Sequence, residues 1–100
     1  MFQAMSSATS AVRAYTRGVL VNAQNLANVQ TTDYRPQDTV YLSNASEGVR
    51  AEVTSSPEPQ PVDEAKELIG LAANRRAIQA NIAVFRASDK TLGVLLDTVA

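Results

Sequence analysis

Apolar residues recur along the first third of the chain at helical spacing. Met5, Val12, Val19 and Leu26 stand seven residues apart, and Ala8, Tyr15, Asn22 and Val29 follow each of them by three. That is the a/d stripe of a helix packed on another helix, and it predicts a helix from about Gln3 to Asn28. Gly18 interrupts the stripe at a cost of about 1 kcal/mol relative to alanine. Ala4, Ala11, Ala14, Ala23 and Ala27 favour helix and let a second helix come close. The last third carries a longer stripe. Leu68, Leu71, Arg75, Ile78, Ile82, Phe85, Asp89, Leu92, Leu96 and Val99 alternate steps of three and four, and only Arg75 and Asp89 among them are polar. This predicts a helix from about Asp63 to Val99, roughly 50 Å long. Pro61 precedes it, Asp63 suits the N-cap, and Glu64 and Glu67 suit the positive end of the helix dipole. Such a length exceeds the usual globular range and points to a coiled coil or bundle.

Between the stripes the period changes. Thr39 to Leu42 and Val49 to Thr54 are strand candidates, and Asn44 to Gly48 would turn between them. Ser55 to Pro61 reads as a stiff polar linker. The first helix has a marked exit. Asn28 tolerates the left-handed conformation that closes a last turn, Asp33 can adopt it in the turn that follows, and Pro36 forbids continuation. The chain therefore divides into residues 1–32, an N-terminal helix; 33–62, a short extended insert and linker; and 63–100, a C-terminal helix, all within one domain. The expected fold is mainly α: an antiparallel, coiled-coil-like pair of long terminal helices with a small β-hairpin between them. Met5, Val12, Val19, Leu26, Leu68, Ile78, Ile82, Phe85, Leu92 and Leu96 are expected to hold the helix packing. Leu20, Val21, Ile69, Val84, Val94 and Leu95 lie off the stripes, and other copies or related chains would have to cover them.

Composition removes most chemistry. The chain has 100 residues, no histidine, no cysteine and a formal charge of −1. Without histidine there is no Ser-His pair, and without cysteine there is no thiol chemistry or Cys/His metal spacing. Near-neutral charge gives no electrostatic case for nucleic acid. No apolar run reaches the roughly 20 residues that span a bilayer. The N-terminus has no basic stretch followed by an apolar one, so no cleaved signal peptide is expected. Lys66 and Lys90 are the only lysines, and neither stands in a pattern that would make it a base. Asp63, Glu64 and Glu67 read as an acidic first turn rather than a metal site. No enzyme, cofactor or small-molecule substrate is expected. Arg75 and Asp89 have two readings, as polar residues that set register between chains or as solvated residues. Asn22, Asn25, Asn28, Asn74, Gln79 and Asn81 also have two, as surface amides or as bonds between the helices.

The stretch Asn25-Leu26-Ala27-Asn28, then Thr31, then Tyr34-Arg35, resembles the N-terminal signature of the flagellar rod and hook axial proteins. Asp33 stands where that family has glycine before its aromatic residue. Val62 to Ile69, then Asn74 to Asn81 with its Ala80-Asn81 step, look like the family's C-terminal helix, and Asp89 to Leu96 resembles its closing segment. Both regions occur in the right order and span about two thirds of the chain. The short middle is similar to the small proximal-rod type. The resemblance implies a structural subunit of the bacterial flagellar basal-body rod, spanning the periplasm. Its terminal helices would pack with other rod and axial proteins, and with its own copies, to transmit torque and enclose the export channel. It would leave the cell through the flagellar type III export apparatus, with no cleaved signal, and its terminal helices would order on assembly. Asn25, Asn28, Thr31, Tyr34 and Asn81 carry the resemblance. The competing reading is a small cytoplasmic coiled-coil adaptor or export chaperone that folds alone and does not polymerise.

Overall fold

The computed structural model describes residues 2–99. Two helices, α1 (Phe2–Ala27) and α2 (Glu64–Val99), flank a two-stranded antiparallel sheet of β1 (Gln37–Asn44) and β2 (Gly48–Ser55). The molecule is elongated, 63 × 22 × 14 Å, because α2 alone has 36 residues.

The element ends follow local chemistry. Asp63 caps α2: its Oδ1 accepts the Lys66 N–H at 3.1 Å, and its carbonyl accepts the first helical bond from Glu67. Asp33 has φ 58°, the left-handed turn anticipated after the helix exit. Asn28 corrects the other half of that expectation. It does not take a positive φ; its Nδ2 instead donates to the Gln24 carbonyl at 2.8 Å, and its Oδ1 accepts the Thr31 hydroxyl at 3.0 Å. The side chain ties down the last turn while the backbone leaves it through short-range bonds. In the hairpin, Asn44 Oδ1 accepts the Ser46 N–H at 2.9 Å, and Gly48 closes the turn at φ 82°.

The sheet register runs from Gln37 opposite Ser55 to Asn44 opposite Gly48 without a bulge. The Ser56 N–H donates to the Pro36 carbonyl at 2.8 Å, which fixes the alternation. Even-numbered pairs bond to each other, and odd-numbered residues turn their backbone groups outward. Odd-numbered side chains face the helices and even-numbered ones face solvent. The hairpin lies along α1, with Gln37 beside Asn25, the Tyr41 ring 4.5 Å from the Tyr15 ring and tilted 39° to it, and Val49 beside Ser10.

The buried face of α1 is Ala8, Ala11, Ala14, Gly18, Val21 and Asn25. It is not the stripe of Met5, Val12, Val19 and Leu26, each of which is only half-buried. Small residues win because they let both the hairpin and α2 approach one helix. A Cβ on Gly18 would run into the Tyr41 hydroxyl and stand 2.8 Å from the Asn74 amide. On α2, Ile78, Ile82 and Leu92 are half-buried, whereas Leu68, Phe85 and Leu96 are exposed. Arg75 and Asp89 are exposed as well, so within the chain they are solvated and not inside a seam. Val84, Val94, Leu95 and Val99 extend the exposed apolar surface along α2.

Candidate functional site: the Asn25 junction

Asn25 is fully buried, and every hydrogen-bonding capacity of its amide is used. Its Nδ2 donates to the Gln37 carbonyl at 2.7 Å and to Glu67 Oε1 at 2.7 Å. Its Oδ1 accepts from the Tyr34 hydroxyl at 2.8 Å and from the Gln37 N–H at 3.0 Å. Gln37 belongs to the outward-facing set, so the Asn25 amide occupies the first edge rung of β1 much as another strand would. One side chain thereby joins α1, the exit turn, β1 and α2. A buried amide is affordable only when satisfied in this way.

The bonds continue as a chain of side chains. Glu67, itself buried, has Asn22 Nδ2 at 3.5 Å from its second oxygen, the long end of the hydrogen-bonding range. Asn22 Oδ1 accepts from Asn74 Nδ2 at 2.8 Å, and Asn74 Oδ1 accepts from the Tyr41 hydroxyl at 2.8 Å. Asn25 thus meets Glu67 while Asn22 meets Asn74, and the numbering runs in opposite directions along the two helices. The amide question left open by the sequence is answered at Asn22, Asn25 and Asn74, which bond between helices. Asn28 and Asn81 each bond to a carbonyl four residues back in their own helix. Gln79 is exposed.

The electrostatics favour this arrangement. Burial, and then the nearby Glu67 carboxylate, push the Tyr34 phenol above its ordinary value and keep it a donor. Burial and then Tyr15 raise Tyr41, against a smaller lowering by its bond to Asn74. Lys66 is also raised, first by its hydrogen bond to Asp38 at 3.0 Å and by that residue's charge, with Glu67 and Asp63 adding to it. Among the described residues no group of three His, Cys, Asp or Glu is placed to hold a metal ion, and no helix is long and apolar enough to cross a membrane.

The sequence reading missed Glu67 as a buried residue and Gly18 as a contact. One signal was present: Ala11, Gly18 and Asn25 also repeat every seven residues, one place before Val12, Val19 and Leu26. No protein-family model matches the chain, and no curated protein matches it.

Proposed function

We propose that the chain is a structural subunit of the bacterial flagellar basal-body rod, of the small proximal-rod type, acting by helix packing between subunits. The observation that carries this reading is that the two regions of the resemblance meet. Asn25, in the N-terminal signature, bonds Glu67 in the C-terminal helix, 42 residues away. Thr31 bonds Asn28 of the same signature. Asp33 holds a positive φ at the position where the family has glycine, so the substitution keeps a turn of the same hand.

The helices form an antiparallel, coiled-coil-like hairpin in this reading, and its bare apolar surface is covered by neighbours. Leu68, Ile69, Phe85, Val94, Leu95 and Leu96 are exposed on α2 and supply the surface for those neighbours. Copies of the chain and other rod and axial proteins are the partners, and the flagellar type III export apparatus delivers it to the rod. Catalysis, cofactors and nucleic acid have no part in the mechanism.

Replacing Leu92 with Lys tests it. Rotation and rod assembly should be lost while export continues, with circular dichroism of the free chain checking that the helices remain. A variant that assembles and rotates normally sinks the packing mechanism. A compact, cooperatively melting dimer that never polymerises points instead to the adaptor or chaperone.

A further inference from the structure

Each edge of the hairpin is open in part. On β1 the rung at Gln37 is taken by Asn25, but Thr39 and Tyr41 turn their backbone groups outward without a partner among the described residues. On β2 the Val49 N–H is taken by Ser10 Oγ at 3.0 Å, and Ala51 and Val53 are left open. Neither strand has a bulge or an internal proline, the usual devices that blunt an edge. We propose that copies of this chain join edge to edge, β2 of one pairing antiparallel with β1 of the next to make one sheet across the contact. This deepens the self-association in the reading above and rests on it, but it uses a surface separate from the exposed face of α2.

Charge selects which edges meet. Beside β2 lies a groove of about 310 Å³ whose walls carry Arg13, Arg17 and Arg50, the last paired with Glu52 at 3.3 Å, so that Arg13 and Arg17 supply the net positive charge. Arg13 and Arg17 are exposed, one helical turn apart, and have no ion pair among the described residues. Beside β1 lies a groove of about 280 Å³ that includes Asp38, Lys66 and Glu67, with Asp63 acting on the same lysine. Asp38 pairs with the Lys66 ammonium there at 3.0 Å, and Glu67 leaves the groove one negative charge in excess. A β2 edge meeting another β2 edge would oppose two arginine clusters, and two β1 edges would oppose two acidic ones. Only β2 against β1 brings opposite signs together. Such a contact uses two different surfaces, so two copies do not close it and it continues along a row. Thr39, whose buried Oγ1 has no partner among the described residues, lines the acceptor groove and offers a further polar contact.

Ala51→Pro removes an outward N–H and leaves the bonds between β1 and β2 in place. Arg13→Glu together with Arg17→Glu reverses the basic wall on an exposed helix face. Each full-length variant should need at least tenfold higher concentration than the unaltered chain to assemble in sedimentation velocity, and salt should weaken the unaltered assembly. If Ala51→Pro disturbs the fold by circular dichroism, the arginine pair decides alone. Folded edge variants that assemble at the original concentration overturn the edge contact. If Leu92→Lys abolishes assembly at the same time, helix packing survives that result. An unaltered chain that stays monomeric at every concentration sinks the reading beneath it instead.

Discussion

The Asn25 amide donates to the Glu67 carboxylate at 2.7 Å, with both side chains withdrawn from solvent and a separation of 42 positions along the chain. Neither helix would place a polar group there for its own sake. Asn25→Ala would strand the Gln37 N–H and carbonyl, and Glu67 would lose its shortest bond. Each buried group left unpaired costs about 1–3 kcal/mol. The variant should therefore lose about 3 kcal/mol or more in urea unfolding. Glu67→Gln keeps an oxygen that accepts from Asn25 and should lose markedly less. Equal losses for the two variants would mean that the amide network is not what holds the junction.

Gly18 opposes helix propensity. Alanine in its place would gain about 1 kcal/mol in an isolated helix. Here its Cβ would meet the Tyr41 hydroxyl and the Asn74 amide, which are bonded to one another. Overpacking of this kind costs about 1–3 kcal/mol, so Gly18→Ala should destabilise the chain on balance. Thermal melting of the variant reads the sign directly. A higher melting temperature would mean that Tyr41 and Asn74 move aside without loss.

Alkaline pH should loosen the junction. Tyr34 and Tyr41 both have pKa values raised above the ordinary 10.0, because burial disfavours the phenolate. The folded state then holds protons that the unfolded state releases, and stability falls with rising pH. Their contribution is complete below the unfolded tyrosine value and is lost as pH climbs through the raised folded values. Urea midpoints measured from neutral pH upward should stay level and then drop in that window. Tyr34→Phe should flatten the drop, as well as lowering stability throughout by leaving Asn25 Oδ1 with one donor fewer. A drop of unchanged steepness in that variant would assign the effect to other groups.

The elements were legible because their signals are local. Asp63 caps α2 from its own side chain, and Asp33 and Gly48 sit at their turns for the same kind of reason. The strands extend past Thr39 to Leu42 and Val49 to Thr54 because pairing recruits weak strand formers such as Gln37, Asp38 and Asn44. The core was harder to read. Its face on α1 is alanine, glycine and asparagine, which give little hydrophobic contrast beside Val12, Val19 and Leu26. The role of Asn25 depends on residues 12 and 42 positions away, and no window along the chain contains them. On α2 the three-four stripe gave the helix correctly but not its rotation. Bonds from Glu67 and Asn74 turn the helix so that Leu68 points outward, whereas Leu96 is exposed together with every other residue of 93–99.

That exposure separates folding from assembly at Leu96. The side chain is 61% exposed, so the free chain gains little from it. Surface substitutions away from special features usually change stability by no more than about 0.5 kcal/mol, and Leu96→Ser should melt almost as the unaltered chain does. If neighbours cover this face in the assembled state, the same change removes an apolar contact that exists only there. A buried leucine is worth about 1.5–3 kcal/mol, which is about ten- to a hundredfold in the concentration needed for assembly. Sedimentation velocity beside thermal melting separates the two effects. An unchanged melt with weakened assembly places Leu96 in a contact between chains. Loss of both would mean that the outward face of α2 already contributes to the fold of the single chain.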